Sequence, residues 1–134
     1  MKSPDNQTGY TLTEILIVVT IIAILAAVAI PGYQQWSRES KRADAHTALL
    51  SMANAQEKQF PNDNTYVAID KLGRKQTGAK YMTDAGLYTL TVAADASTFT
   101  ITATAEAGSP QFGDKDCREI QINQANQRLP AECW

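Results

Sequence analysis

The chain has 134 residues, a formal net charge of −2 and 44% hydrophobic residues. That length bounds it to one small domain plus whatever its apolar N-terminal stretch does. The near-even charge leaves no clustered basic face of the kind that marks a nucleic-acid binder. No nucleophile, acid–base pair or phosphate loop is visible, so the composition argues against an enzyme and against a cofactor.

The most unusual stretch lies near the start. Gly9-Tyr10-Thr11-Leu12-Thr13-Glu14 leads into Ile15 to Ile30, where Thr20 is the only polar residue. A membrane-crossing helix needs about 20 mostly apolar residues, and Tyr10 to Ile30 supplies them. An acid in such a segment costs about 2.5–3.5 kcal/mol at the centre and less near the edge, so Glu14 is a functional candidate. Two plain readings are a secretory signal cut after Ala27-Val28-Ala29 and a simple membrane anchor. The weakly charged Met1 to Thr8 segment and the long apolar run count against the first.

The whole pattern, from Gly9 through Glu14 and Ile15-Leu16-Ile17-Val18-Val19 to Ile30-Pro31-Gly32-Tyr33, resembles the prepilin signature of type IV pilins. The resemblance implies that residues 1–9 are a leader removed by a prepilin peptidase between Gly9 and Tyr10. It also implies that Tyr10 is then N-methylated and that Glu14 pairs with the new amine of a neighbouring subunit. An unpaired carboxylate would be penalised in an apolar filament core, and a paired one specifies register. Tyr10 stands where the family usually has phenylalanine, and Thr13 where it has an aliphatic residue.

Pro31 cannot donate to the carbonyl four residues back, and Gly32 has low helix propensity, so a helix break is expected there. The resemblance implies that residues 23–31 lose helical form in an assembled pilus. The helix should resume at Tyr33 and run to about 60, with Ala45, Leu49, Met52, Ala53 and Phe60 forming one apolar stripe. At 1.5 Å per residue, Tyr10 to Gln59 gives roughly 75 Å of helix. A single copy can bury the second half under a sheet, whereas the first half (10–32) needs lipid or other copies. Tyr33 and Trp36 suit a membrane interface or subunit contacts, and His46 reads as a surface histidine. Arg38, Lys41 and Arg42 follow the apolar run, and their charge favours the opposite topology to the one that an outward C-terminal domain requires.

Residues 61–86 read as a solvated loop, locally basic through Lys71, Arg74, Lys75 and Lys80; a contact surface for another subunit or for DNA is the alternative. Tyr88, Leu90 and Val92 alternate with threonines, as do Phe99, Ile101, Ala103 and Ala105, and Asp95-Ala96-Ser97 joins them as a hairpin. A third strand is expected over Arg118 to Asn123. Cys117 and Cys133 suit one disulfide and an oxidising compartment, with free thiols as the alternative. Asp114-Lys115-Asp116 offers too few oxygen ligands for a calcium loop, so no metal site is expected.

The fold class is therefore α+β: a long N-terminal helix packed on an antiparallel sheet (87–123) of three to four strands, with a soluble head over 33–134. The bounded tail 117–133 resembles the D-region of type IV pilins. Cys117…Ile122-Asn123-Gln124…Cys133-Trp134 is similar to PilE-type minor pilins. By resemblance, the precursor sits in the inner membrane among lipid, with its C-terminal domain in the periplasm, and then enters an extracellular pilus. Its implied partners are major and minor pilin subunits, the prepilin peptidase and the assembly platform. Its implied roles are pilus biogenesis, adhesion, twitching motility or DNA uptake. A type II secretion pseudopilin and a membrane-anchored binding domain are the alternatives.

Overall fold

The computed structural model describes residues 9–74 and 76–134, so most of the expected leader (1–8) and Lys75 of the expected basic loop lie outside the described residues. One helix, α1 (Leu12–Asp63), carries the first half of the chain. Six strands follow: β1 (Gln76–Thr77), β2 (Lys80–Met82), β3 (Tyr88–Ala94), β4 (Phe99–Ala105), β5 (Glu119–Asn123) and β6 (Arg128–Leu129). They form one antiparallel meander in chain order. The chain divides into two compact units, one ending at Gln35 and one spanning Trp36–Trp134.

In the first unit α1 leaves its apolar side chains exposed, among them Ile15, Val19, Ile22, Leu25 and Ile30. Its most apolar 18-residue window has a mean hydropathy of 2.9, long and apolar enough to cross a membrane. Thr20 turns its hydroxyl back onto the Leu16 carbonyl at 2.7 Å, which satisfies the one polar group of the run locally. α1 passes through Pro31 and Gly32 without interruption. The break expected at these residues is therefore not a feature of the single chain. Proline removes one donor from the ladder, but the neighbouring bonds carry the helix past it.

In the second unit the expected stripe is the core. Ala45, Ala48, Leu49 and Met52 pack with Tyr88, Leu90, Phe99, Ile101, Ala103, Ile120 and Ile122. Each fully buried large side chain of this set contributes about 1.5–3 kcal/mol. The register places Leu90 opposite Ala103 and Ile101 opposite Ile122, so one sheet face is apolar and continuous. The other face holds Thr91, Thr102 and Gln121 side by side.

α1 ends four residues later than 59, at Asp63. Asn64 then adopts φ 53° and donates to the Phe60 carbonyl at 2.7 Å, a left-handed cap. Pro61 is tolerated in this last turn. The sheet is larger than the three to four strands expected. The stretch read as a loop contains a short 3₁₀ turn (Ile69–Lys71) and the β1–β2 hairpin, while β6 adds a far edge. Gln56 anchors this connection: it donates to the Val67 carbonyl at 2.6 Å and accepts from the Val67 amide at 2.9 Å.

Candidate functional site

The N-terminal signature is built around Thr11. Its hydroxyl accepts from the Glu14 amide at 3.2 Å and its carbonyl accepts from the Ile15 amide at 3.2 Å. This is an N-cap, with Glu14 three residues further on as in a capping box, and it starts the helix at Leu12 rather than Tyr10. Gly9 and Tyr10 stay outside the helix, and Tyr10 is 80% exposed. The Gly9–Tyr10 peptide bond thus lies in an open, non-helical segment. Glu14 sits in the first turn, where the helix dipole favours a negative charge.

The second constellation lies at the C-terminal tail. Cys117 and Cys133 form a disulfide with Cα atoms 5.6 Å apart. The segment it bounds and the loop just before it are docked on α1 by two side chains one turn apart. Arg42 donates Nε to Asp114 Oδ2 at 2.8 Å and Nη2 to Oδ1 at 3.0 Å. Asp114 is 4% exposed, and a buried ion pair of this kind is costly to break by removing one partner. The hydrogen bond to Asp114 raises the Arg42 pKa above its ordinary value. His46 places Nε2 2.7 Å from the Cys133 carbonyl and stacks on Trp134, centroids 4.7 Å apart and planes within 10°. It is therefore a half-buried tail anchor, not the surface histidine expected.

A buried polar relay supports the same loop. Gln111 donates to both the Tyr88 hydroxyl (2.7 Å) and the Arg38 carbonyl (3.1 Å). Burial is the main cause of the raised Tyr88 pKa. Arg42, His46 and Gln111 were missed as a group by sequence reasoning. The available signal was the four-residue step Arg38, Arg42, His46 beside the core stripe.

The tail also presents a surface. A depression of about 450 Å³ is lined by Lys115, Arg118, Glu119, Gln121, Leu129 and Pro130, among others. Arg118 lies over the Phe112 ring at 4.3 Å, and Arg128 over Trp134 at 5.1 Å. Two cations of the basic loop are instead engaged: Arg74 pairs with Asp84 at 3.2 Å and Lys80 with Glu106 at 2.6 Å. Among the described residues no cluster of three or more His, Cys, Asp or Glu could hold a metal ion.

Comparison with known proteins gives two family matches. Residues 31–121 match the family described as "Type IV minor pilin ComP, DNA uptake sequence receptor", and residues 4–30 match the "Prokaryotic N-terminal methylation motif". The type IV major pilin protein PilA of Myxococcus xanthus is 42% identical over 64 residues, 48% of this chain and 29% of PilA. The type IV major pilin protein PilE of Neisseria gonorrhoeae is 33% identical over 69 residues, 47% of this chain and 41% of PilE. The matched stretches thus span less than half of these relatives. A type IV pilin structure from Shewanella oneidensis is similar at 21% identity and a TM-score of 0.47, over 72% of this chain and 97% of that one.

Proposed function

The chain belongs to the type IV minor pilin ComP family, and we propose that within a pilus it is the subunit that meets duplex DNA outside the cell. It is a type IV pilin with an N-terminal methylation motif, the form of a membrane-anchored precursor that becomes a pilus subunit. The match over residues 31–121 carries the DNA reading, because that family is described as the receptor for a DNA uptake sequence. The even overall charge pointed away from nucleic acid. Arg118 and Arg128, each over an aromatic ring, are cations that the tail could offer to phosphate, Arg118 together with Lys115 in a depression that Asp116 and Glu119 also line.

Cleavage between Gly9 and Tyr10 frees an amine at Tyr10 for methylation, and the open segment ahead of the Thr11 cap supports access by the prepilin peptidase. Glu14 then meets the Tyr10 amine of a neighbouring subunit and fixes register. The exposed apolar helix is buried first by lipid and then by other pilins delivered by the assembly platform. Unwinding near Pro31 and Gly32 belongs to the assembled filament. The disulfide supports a head that faces the oxidising periplasm before export. The family matched is one of pilins, which favours the pilus over the pseudopilus and over a domain with no filament role.

The test is binding of the full chain, purified in detergent, to a duplex library at 50 and 200 mM salt. Binding that weakens steeply as salt rises is expected. Absence of binding at micromolar protein in low salt would overturn the DNA reading.

A further inference from the structure

We propose that the 3₁₀ turn Pro110–Gly113, together with Trp36 and Arg38 of α1, seats the head of the precursor in the headgroup layer of the lipid bilayer; this rests on the membrane-anchored precursor above. Among the described residues of Trp36–Trp134, the large hydrophobic side chains left exposed are Trp36, Phe112 and Leu129. An exposed apolar side chain held on a rigid base, rather than scattered on the surface, calls for an occupant.

The base under Phe112 is built on Arg38. Gln111, fully buried, donates Nε2 to the Arg38 carbonyl at 3.1 Å. At Gly113 the Arg38 guanidinium packs so closely that a Cβ there would stand 3.0 Å from Nη2, so the turn needs glycine at this point. Phe112 lies between these two contacts and is 45% exposed. Arg118 donates Nε to the Phe112 carbonyl at 2.7 Å and sets its guanidinium 4.3 Å from the ring centre. Ring and cation side by side suit the layer where acyl chains meet phosphates.

The occupant follows from continuity with the apolar run. A hydrocarbon core takes about 20 residues of helix to cross. Counted from Ile15, the first residue past the acid, that length ends near Gln34. Trp36 is two residues further on, where tryptophan is enriched in membrane proteins. Arg38 follows four residues after Gln34, about 6 Å of helix. The headgroup layer is about 5–8 Å deep on each side. A chain anchored by its apolar run therefore keeps Arg38, and the turn packed on it, at lipid headgroups. The charges around the turn cancel by count. Arg38 and Lys41 stand with Glu39 and Asp44, Arg42 with Asp114, and Lys115 and Arg118 with Asp116 and Glu119. The seat is thus one of aromatic insertion, and it fits a zwitterionic lipid surface without an excess of anionic lipid. Entry into a filament requires this seat to be given up.

The experiment places the full chain in phosphatidylcholine vesicles, in a Trp36→Phe background that carries either Phe112→Trp or, as a control on α1, Thr47→Trp. The Phe112→Trp emission is expected to shift to the blue, to lose intensity with lipid brominated along its acyl chains, and to resist aqueous iodide. The Thr47→Trp emission should show the reverse. In the wild type, with no added tryptophan, Phe112 ring protons should show NMR cross-relaxation with lipid protons. Quenching of Phe112→Trp by iodide as full as that of Thr47→Trp, with no cross-relaxation at Phe112, would overturn the seat and leave the anchor standing. Shielding from iodide that disappears when the chain is diluted with lipid would assign the turn to a second copy and equally overturn it. Failure of the wild type to float with the vesicles would overturn both seat and anchor. Melting of the variants within a few degrees of wild type checks that the head remains folded.

Discussion

Arg42 and Asp114 lie 72 residues apart in sequence and form a two-pronged ion pair, with N–O distances of 2.8 and 3.0 Å, that ties the loop before β5 to α1. The pair is mostly desolvated, so its value lies in completeness: each partner is costly without the other. Arg42→Ala leaves the Asp114 carboxylate buried and alone, and is expected to destabilise the head by about 3 kcal/mol. Arg42→Leu combined with Asp114→Leu should cost clearly less than Arg42→Ala. Urea melts of the three proteins check this, and a double variant less stable than the single one would contradict it.

Cys117→Ser removes a cross-link between residues 16 apart. The chain-entropy view gives a loss of about 3 kcal/mol. The tail should also lift from His46, so Trp134 becomes more accessible to iodide quenching in a Trp36→Phe background. An unchanged melting midpoint together with unchanged quenching would show that Arg42 and His46 hold the tail unaided.

Glu106 gives a pH signature. The Lys80 ammonium at 2.6 Å is the main cause, and the Thr89 hydroxyl the next, of a carboxyl pKa held below its ordinary value. A lowered folded-state pKa gives stability that is present above the unfolded value of about 4.3 and is lost as pH falls through the folded one. The protection of the Thr89 amide, taken as its exchange rate relative to the intrinsic rate at each pH, should therefore fall below about pH 4. In Lys80→Met the Glu106 titration, followed by NMR, should move up. An unmoved midpoint would mean that Lys80 does not hold the carboxylate in solution.

The parts of the fold legible in sequence were those governed by period. Tyr88-Thr89-Leu90-Thr91 and Phe99-Thr100-Ile101-Thr102 alternate strictly, and their strands lie where expected, paired as a hairpin closed by Asp95. The β1–β2 hairpin escaped because strands of two and three residues carry no period. Its turn at Gly78, φ 63°, was the only local mark. The end of α1 was set late because Asn64, not Pro61, supplies the cap. Cys117 and Cys133 were readable as a pair, but the contacts that orient their tail are long-range. Arg42 and Asp114 each look like surface charges until the fold joins them, and Gln56 and Gln111 are buried amides of a residue type normally exposed. At the N-terminus the motif was visible in residue order, yet the cap at Thr11 emerged from hydrogen bonding alone.

The central claim, a pilin matured at Gly9–Tyr10 and built into a filament, is tested most directly by mass spectrometry of this chain from sheared pili. The account predicts a protein that begins at Tyr10 with a methylated α-amine. A chain that retains residues 1–9, one that begins at Ile30, or its absence from the pilus fraction would contradict it.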